Sequence, residues 1–357
     1  MSLKVFCLVM AGGRGTRFWP ESTQSRPKQF LNLTGDTPLL SQTLERFDDL
    51  VNVEDRFIVT VKEQEELVRD SSQDLIGDGN IIFEPAGRNT APCILLSLAR
   101  LIAGGAKDND LMVVVPSDHV ILNKRGFQST IRKSIEIASE RKEIVTIGII
   151  PHFPHTGFGY IERGEAISNG YRVNQFKEKP DFETAKNYLS SGNFYWNAGM
   201  FVAPIKTFKD ELFAHSPEIS KFFDPLLTNI DNPAKLAEIY SQIPEDSIDY
   251  AVMEKSSHVS VCPAEFDWND LGSWDALEAV IQEQEENTIV KSKGHYFENA
   301  KGNIIFAPDK FVSLINVDDL IVVSNEKSVV VLPKKDSQRV KNIVEYLKKS
   351  DLGKDLL

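Results

Sequence analysis

Short apolar runs alternate with amphipathic stretches over residues 1–150, and this alternation limits the fold more than any other feature. The predicted strands are 4–10, 56–61, 80–84, 111–115 and 143–149. Between them, apolar residues recur at helical spacing over 38–51, 63–76, 91–104 and 126–140. The first of these helices is expected to begin with Thr37 as N-cap and Pro38 at the first helical position. The alternation predicts an α/β fold, a doubly wound, mixed but mainly parallel Rossmann-like sheet with helices on both faces.

The pattern changes twice along the rest of the chain. Strands at 158–163, 171–177 and 194–203 are mixed with helices at 182–191, 205–214 and 247–255, and we expect this second half to join the same sheet. From residue 286, short strands with Asn, Asp and Gly turns lead to an amphipathic helix with apolar residues at helical spacing, namely Val340, Ile343, Val344 and Leu347. We therefore predict a large domain over 1–285 and a small β-rich domain over 286–357. This small domain can take the form of a short left-handed β-helix. We expect the small domain to serve domain packing or assembly.

Charge and cysteine content exclude several classes of protein. The net charge of −12 argues against a general nucleic-acid binder, so we expect no nucleic-acid partner. No apolar run is long enough to span a membrane, and none is expected to bind one. The three cysteines, Cys7, Cys93 and Cys262, are scattered and odd in number, which is typical of a protein in the reducing cytoplasm and not of a disulfide framework.

A glycine-rich segment follows the first predicted strand. Gly12, Gly13 and Gly15 allow backbone N–H groups to approach an anion closely. The dinucleotide fingerprint fails because Phe18 stands where its third glycine belongs, and the Gly-Lys-Ser/Thr ending of a P-loop is absent. Polar segments also follow the strands at 80–84 and 111–115, so all three are expected at the crevice beyond the carboxyl ends of the strands.

Positive side chains accompany the glycines. Arg14 and Arg17 lie in the segment, and Lys28 follows shortly after. Fixed positive charge around a polyphosphate is what nucleotidyl transfer needs, because its catalysis depends on positioning and charge neutralisation. A solvated basic turn is the simpler alternative.

The chain resembles the sugar nucleotidyltransferases, or nucleoside-diphosphate-sugar pyrophosphorylases, in their mannose-1-phosphate guanylyltransferase branch. The resemblance runs from residue 4 to about 345, and Phe18 departs from it where leucine is common, which we expect to affect packing only. It rests on the motifs AGGRGTRFWP (11–20), RPKQFL (26–31), EPAGRNTAP (84–92), VVPSDHVI (114–121), FGYIE (158–162), FKEKP (176–180), WNAGMF (196–201) and FDWNDLGSW (266–274).

The resemblance implies transfer of GMP from GTP to α-D-mannose 1-phosphate, with Mg²⁺ as cofactor, by a catalytic domain over 1–285. A homodimer is expected. The implied catalytic residues are Arg17, Lys28, Asp118 and Asp270, the last three in "RPKQFL", "VVPSDH" and "DWNDLG". The implied nucleotide contacts are Gly12, Gly13, Gly15, Thr16, Arg17, Glu84, Asn89 and Thr90. The implied sugar-phosphate contacts are Gly159, Glu178, Lys179 and Asn197.

Two carboxylates are expected to bind the metal. Mg²⁺ is usually held by one or two carboxylates together with substrate phosphates, and the family places these at Asp118 and Asp270. Asp267 is a rival for the second position, and the simpler reading of Asp118 is a helix cap. His119 is expected to be structural.

Other polar residues have simpler readings beside the functional one. Glu178 and Lys179 would also make an ordinary surface ion pair. His152 and His155 are taken as loop residues, because an unaided pair of histidines is not a zinc site. Cys93 is expected to be packed and inert.

The resemblance implies that the loop after the third predicted strand contacts the nucleobase, as it does in related thymidylyl and uridylyl enzymes. Guanine presents two adjacent donors, N1–H and the N2 amine, and one carboxylate accepts both. We therefore hypothesise that Glu84 contributes to selection for GTP. The alternative is that Glu84 pairs with Arg88 and shapes the loop without touching the base.

Three other functions stay open at this point. A nicotinamide dehydrogenase is disfavoured by the missing third glycine. A non-catalytic nucleotide-sugar sensor on the same fold would tolerate loss of Arg17, Lys28, Asp118 or Asp270, and all four are present. The third is the same chemistry on another sugar 1-phosphate.

Overall fold

A mixed sheet of nine strands forms the body of the computed structural model, which describes residues 3–13 and 15–357. Its strands are β1 (Val5–Met10), β2 (Arg56–Val61), β3 (Ile81–Glu84), β4 (Leu111–Pro116), β5 (Ile144–Ile149), β6 (Tyr160–Ile167), β7 (Gly170–Lys177), β8 (Phe194–Pro204) and β9 (Val259–Pro263). The helices around it are α1 (Leu39–Glu45), α2 (Glu65–Ser72), α3 (Thr90–Ala103), α4 (Lys124–Arg141), α5 (Phe182–Ser191), α6 (Ile205–His215), α7 (Pro217–Ser220), α8 (Phe223–Thr228) and α9 (Pro233–Tyr240). The fold class predicted from the sequence is confirmed, including the continuation of the second half on the same sheet.

The strand order places the crevice. The order is β3-β2-β1-β4-β8-β5-β9-β7-β6, and β1 pairs in parallel with both β2 and β4. The chain therefore leaves the carboxyl ends of β1 and β4 side by side, and Ser117 N donates to Met10 O at 3.1 Å. A doubly wound sheet binds its ligands beyond the carboxyl ends of two adjacent strands at which the strand order reverses, as it does between β1 and β4. The glycine segment and the segment that carries Asp118 meet there.

The sheet sits between two apolar layers. One contains most of α3, with Ile94, Leu95 and Leu98 fully buried, and the other contains α4 residues such as Phe127 and Ile131. The apolar residues of β1 alternate between these layers, as expected for a strand covered on both faces.

Several local predictions need correction. The Thr37 N-cap is wrong: α1 begins at Leu39, and Pro38 is its capping residue, with an extended ψ of 152°. The carbonyl of Pro38 accepts the first helical N–H, from Gln42, at 3.0 Å. The helix predicted over 247–255 is a single π turn, Asp249–Met253. Strand β9 was not predicted, because five residues are too few for a clear period.

The chain after residue 286 forms a four-stranded sheet and two helices. Its elements are β10 (Thr288–Glu298), β11 (Ile304–Ile315), β12 (Leu320–Ser324), β13 (Val329–Pro333), α10 (Val340–Lys348) and α11 (Gly353–Leu356). Strands β10 to β12 are parallel, and β13 is antiparallel. The predicted apolar face of α10 is confirmed, with Val340, Val344 and Leu347 buried. The boundary between 285 and 286 stays a prediction.

The C-terminal sheet packs on the segments that flank the crevice. Phe18 and Trp274 are almost fully buried in a cluster that also contains Ile304, Phe306 and Val340. Trp19 Nε1 donates to Leu356 O at 2.9 Å. Because Phe18 adjoins Arg17 and Trp274 follows Asp270 by four positions, this cluster supports both sides of the crevice.

Among residues 3–13 and 15–357, no helix combines the length and the apolar character that crossing a membrane requires.

Candidate active site

A cavity of about 430 Å³ opens at the crevice, a size typical of small-molecule sites. Most of the predicted site residues reach its wall. Those that line it are Gly12, Gly13, Glu84, Asn89, Thr90, Gly159, Glu178, Lys179, Asn197 and Asp270. The remaining predicted residues, Gly15, Thr16, Arg17, Lys28 and Asp118, are not in that wall and are described next.

The glycine segment bends sharply before a short 3-10 helix, Thr16–Phe18. Gly15 has φ of +51°, and a Cβ there would lie 2.4 Å from the Lys28 Cβ. A glycine is therefore required at this position for both backbone conformation and space. Arg17 is exposed, and its Nη1 donates to Gly272 O at 3.3 Å, which ties the segment to the loop of Asp270. Arg14 lies outside the described residues.

The ammonium of Lys28 connects three parts of the site. The side chain is buried, and Nζ lies 2.7 Å from Asp118 Oδ2. Nζ also donates to Asp270 O at 2.7 Å and to Leu271 O at 3.2 Å. An ammonium has three donors, so Lys28 uses its full capacity on these groups. It holds the segment after β4 against the loop of Asp270.

The carboxyl of Asp118 stays ionised in this setting. Burial alone would raise its pKa, but the charge of Lys28 and the hydrogen bond from Lys28 outweigh that effect and lower the pKa. Its side chain remains 34% exposed, so it is open to a ligand. An anionic oxygen donor beside a second aspartate is chemistry that suits a hard divalent cation.

The donor set fits a cation that is shared with substrate. Among the described residues, no group of three or more His, Cys, Asp or Glu side chains could hold a metal by itself. Mg²⁺ does not need one, because it usually takes one or two carboxylates and completes its shell with phosphate oxygens and water. Asp118 and Asp270 are the two carboxylates predicted for this role, and Lys28 connects the Asp118 carboxylate to the Asp270 carbonyl.

Asp267, the rival ligand, is occupied elsewhere. Its Oδ2 accepts from Leu122 N at 2.8 Å and its Oδ1 from Asn123 N at 2.7 Å. Both carboxylate oxygens thus anchor the backbone that leads into α4. This supports the choice of Asp270 over Asp267.

His119 makes structural contacts. Trp268 Nε1 donates to its Nδ1 at 3.1 Å, and Arg46 Nη2 donates to its carbonyl at 2.9 Å. Burial lowers the pKa of the imidazole, although the charge of Asp118 acts in the opposite direction. A neutral ring that accepts from an indole is therefore the stable form.

Glu84 is buried at the end of β3, and Tyr240 is its hydrogen-bond partner. The Tyr240 hydroxyl donates to Glu84 Oε1 in a short hydrogen bond. Burial raises the pKa of Glu84 to about 7, and the Tyr240 bond offsets part of that rise. A Cβ on Gly12 would lie 3.4 Å from Glu84 Oε2, so the second oxygen faces the glycine segment.

Arg88 does not pair with Glu84. Its Nη1 donates to Ile243 O at 2.6 Å and its Nη2 to Ser241 O at 2.5 Å. The predicted pairing of Glu84 with Arg88 is therefore wrong, whereas a role of Glu84 in shaping the loop without touching the base stays an alternative.

The loop after β3 is hydrogen-bonded to the segment 241–249. Asn89, with φ of +67°, caps α3 by accepting from Thr90 N at 2.9 Å. Thr90 Oγ1 accepts from Ile248 N at 2.8 Å, and Ala91 N donates to Asp246 O at 3.1 Å. The loop is thus held in one shape at the cavity wall.

Glu178 and Lys179 lie at the other end of the cavity. Lys179 Nζ lies 2.8 Å from Glu178 Oε1. Burial would lower the pKa of Lys179, but the bond and charge of Glu178 raise it, so the ammonium is retained. A Cβ on Gly159 would lie 2.4 Å from Glu178 Oε2, which explains why only glycine fits there.

Several residues of the cavity were not predicted from the sequence. Asp249, Phe158 and Trp268 line it, and Tyr240 supports Glu84. Asp249 gave no signal, because its segment reads as an ordinary helix. His155 packs against Phe158 with ring centroids 4.0 Å apart and the rings tilted by 32°. Burial lowers the pKa of His155, and the charges of Asp270 and Arg17 also act on it, which places this loop residue beside the site.

Known proteins resemble this chain in sequence and in fold. Residues 6–287 match the nucleotidyl transferase family, and residues 299–347 match the MannoseP isomerase/GMP-like beta-helix domain. The chain is 38% identical over 352 residues to mannose-1-phosphate guanylyltransferases of Klebsiella pneumoniae and of Escherichia coli, covering 96% of this chain and 74% of each relative. A solved structure from Thermus thermophilus, described as a mannose-1-phosphate geranyltransferase, matches with a TM-score of 0.89 at 34% identity, over 97% of this chain and 100% of that one.

Proposed function

Because the chain belongs to the nucleotidyl transferase family, among the mannose-1-phosphate guanylyltransferases, we propose that its cavity has a nucleotide half and a sugar-phosphate half. The reaction transfers GMP from GTP to α-D-mannose 1-phosphate, giving GDP-mannose and pyrophosphate. The family membership removes the nicotinamide dehydrogenase alternative. The sensor alternative is disfavoured because Lys28, Asp118 and Asp270 are joined in one network at the crevice.

In the nucleotide half, the glycine segment receives the triphosphate. Gly12 and Gly13 line the cavity, Gly15 makes the turn that follows them, and the exposed guanidinium of Arg17 adds positive charge. Glu84 binds the guanine, and Asn89 and Thr90 complete this part of the cavity wall. Lys28 acts by holding Asp118 in place and by offsetting its charge.

Enzymes of this family generally use a divalent metal, and we propose Mg²⁺ held by Asp118 and Asp270. When bound, the metal supplies neutralisation of the phosphate charge. The supporting observation is that both aspartates meet the Lys28 ammonium, one through its carboxylate and one through its carbonyl.

In the sugar-phosphate half, Lys179 binds the phosphate of mannose 1-phosphate and Glu178 accepts from sugar hydroxyls. The sugar-phosphate oxygen then attacks the α-phosphorus in line, and pyrophosphate leaves. No protein nucleophile is required, and Cys93, the cysteine at the cavity wall, is a poor one because burial raises its thiol pKa.

The absence of a protein-bound intermediate gives the test of this mechanism. Labelled pyrophosphate should exchange into GTP only when the sugar product is present, because GMP is never carried by the protein alone. The measurement is incorporation of label into GTP with GDP-mannose and without it. Exchange from GTP and pyrophosphate alone would contradict direct transfer.

Base selection by Glu84 gives a second expected outcome. Glu84→Gln keeps the size of the side chain but loses its charge and one acceptor, so kcat/KM for GTP should fall and the margin over ATP and UTP should narrow. In the unmodified protein, kcat/KM for GTP should also fall as the pH drops through about 7, because the carboxyl takes up a proton there.

Glu84→Gln is its own control for pH. The protonation of GTP itself changes kcat/KM equally in both proteins. Only a pH dependence of kcat/KM that the unmodified protein shows and the Glu84→Gln variant lacks therefore reports on Glu84. A drop in GTP activity with an unchanged ratio of GTP to ATP and UTP would show that Glu84 supports the loop and reads no base.

The cytoplasm is the proposed location. It is supported by the three cysteines, all of which are free and buried in the described structure. The homodimer stays a prediction.

A further inference from the structure

Asp249 reaches the cavity from a π turn next to the sugar-phosphate half. It lines the wall together with Glu178 and Lys179, and the charges of both act on its carboxyl. Asp249 Oδ1 accepts from Asn197 Nδ2 at 2.8 Å. A carboxylate that lines a cavity beside the predicted sugar contacts has acceptor capacity left for a ligand.

The amide of Asn197 is fixed by its other contacts. Its Oδ1 accepts from Thr146 Oγ1 at 2.9 Å and from Gly199 N at 3.1 Å. The oxygen is therefore fully used, and the NH₂ group must point at Asp249. This bond orients the Asp249 carboxylate, and the second N–H of the Asn197 amide stays available to a ligand in the cavity that Asn197 lines.

Glu178 has an acceptor without a partner. Its Oε1 pairs with Lys179, but its Oε2 is buried and makes no hydrogen bond within the described structure. Buried carboxylate oxygens are normally hydrogen-bonded, so this oxygen has free capacity to accept from a ligand. The oxygen lies against Gly159, at the cavity wall.

We infer that Asp249 is a specificity-determining residue that binds a hydroxyl of the hexose, next to the hydroxyl that Glu178 binds. This rests on the proposed function and adds a second acceptor to its sugar half. Two nearby carboxyls suit neighbouring hydroxyls, because each hydroxyl can donate to one of them. Burial, with the charge of Glu178, raises the pKa of Asp249 to about 7, so the protonated carboxyl of Asp249 can also donate to a hydroxyl oxygen.

The test combines Asp249→Asn with α-D-mannose 1-phosphates that lack one hydroxyl, at carbon 2, 3, 4 or 6. Asparagine keeps an oxygen for Asn197 but loses charge and one acceptor. With mannose 1-phosphate, kcat/KM should fall roughly 10- to 100-fold, the range for a lost hydrogen bond to a charged group. With one of the deoxy analogues, the variant and the unmodified protein should be equal, because that analogue lacks the hydroxyl in question.

Glu245→Gln is the matched control, since Glu245 is exposed in the same segment and outside the cavity wall. It should leave every sugar phosphate unaffected. Because the comparison is made between sugars within one variant, a reduced folded fraction cancels. An equal loss with every analogue, or no loss with mannose 1-phosphate, would overturn the inference. Failure of the unmodified protein to use GTP and mannose 1-phosphate would instead overturn the proposed function on which it rests.

Discussion

Asp118→Asn and Asp270→Asn are each expected to lower kcat on the order of 10²–10³-fold while the protein stays folded. Each substitution keeps the size of the side chain and removes one negative charge from the proposed metal site. A metal's stabilisation of phosphate charge is worth several kcal/mol, which sets this magnitude. The measurement is the initial rate of pyrophosphate release over a Mg²⁺ titration.

Asp267→Asn provides the control for both variants. Its oxygens anchor the backbone of Leu122 and Asn123, so the substitution should lower the midpoint of thermal unfolding and reduce turnover less. Unchanged turnover at low Mg²⁺ in the Asp118 or Asp270 variant would remove that residue from the metal site.

Lys28→Met is expected to reduce both turnover and stability. Methionine preserves the apolar stem that packs against Gly15 but leaves Asp118 and the carbonyls of Asp270 and Leu271 without their donor. An unsatisfied buried acceptor costs roughly 1–3 kcal/mol, and Asp118 recovers part of that from water because it is partly exposed. Thermal unfolding and kcat should be measured on the same preparation.

Lys179→Ala should fail in a different way. Lys179 is exposed and pairs with Glu178 at the cavity wall, so its loss should raise KM for mannose 1-phosphate and leave the unfolding midpoint nearly unchanged. If the two lysine variants show the same profile against both substrates, the division of roles between them is wrong.

Local signals were strong enough to predict the sheet and the glycine segment. Strands such as Leu111–Pro116 are continuous apolar runs, and Gly12, Gly13 and Gly15 stand directly after the first of them. The parallel order then follows from the alternation of elements, and it alone brings the segments after β1 and β4 together.

Contacts between segments that are distant in the sequence could not be predicted from local patterns. Asp249 meets Asn197 across 52 positions, and Tyr240 meets Glu84 across 156. The sequence around Asp249 and around Tyr240 has the pattern of an ordinary helix, so periodicity assigns neither residue a role in the site. Thr37 was misassigned for a related reason: its sequence suits an N-cap, but the extended Pro38 starts the helix one residue later than predicted.

The central claim is that this cavity joins a guanosine nucleotide to mannose 1-phosphate, and one matrix of rates tests it most directly. Pyrophosphate release is measured for GTP, ATP, UTP and CTP, each with α-D-mannose, α-D-glucose, α-D-galactose and N-acetyl-α-D-glucosamine 1-phosphates. The highest kcat/KM should belong to GTP with mannose 1-phosphate, it should depend on Mg²⁺, and GDP-mannose should be recovered as product. A higher kcat/KM for any other pair, or no release with this one, would contradict the account.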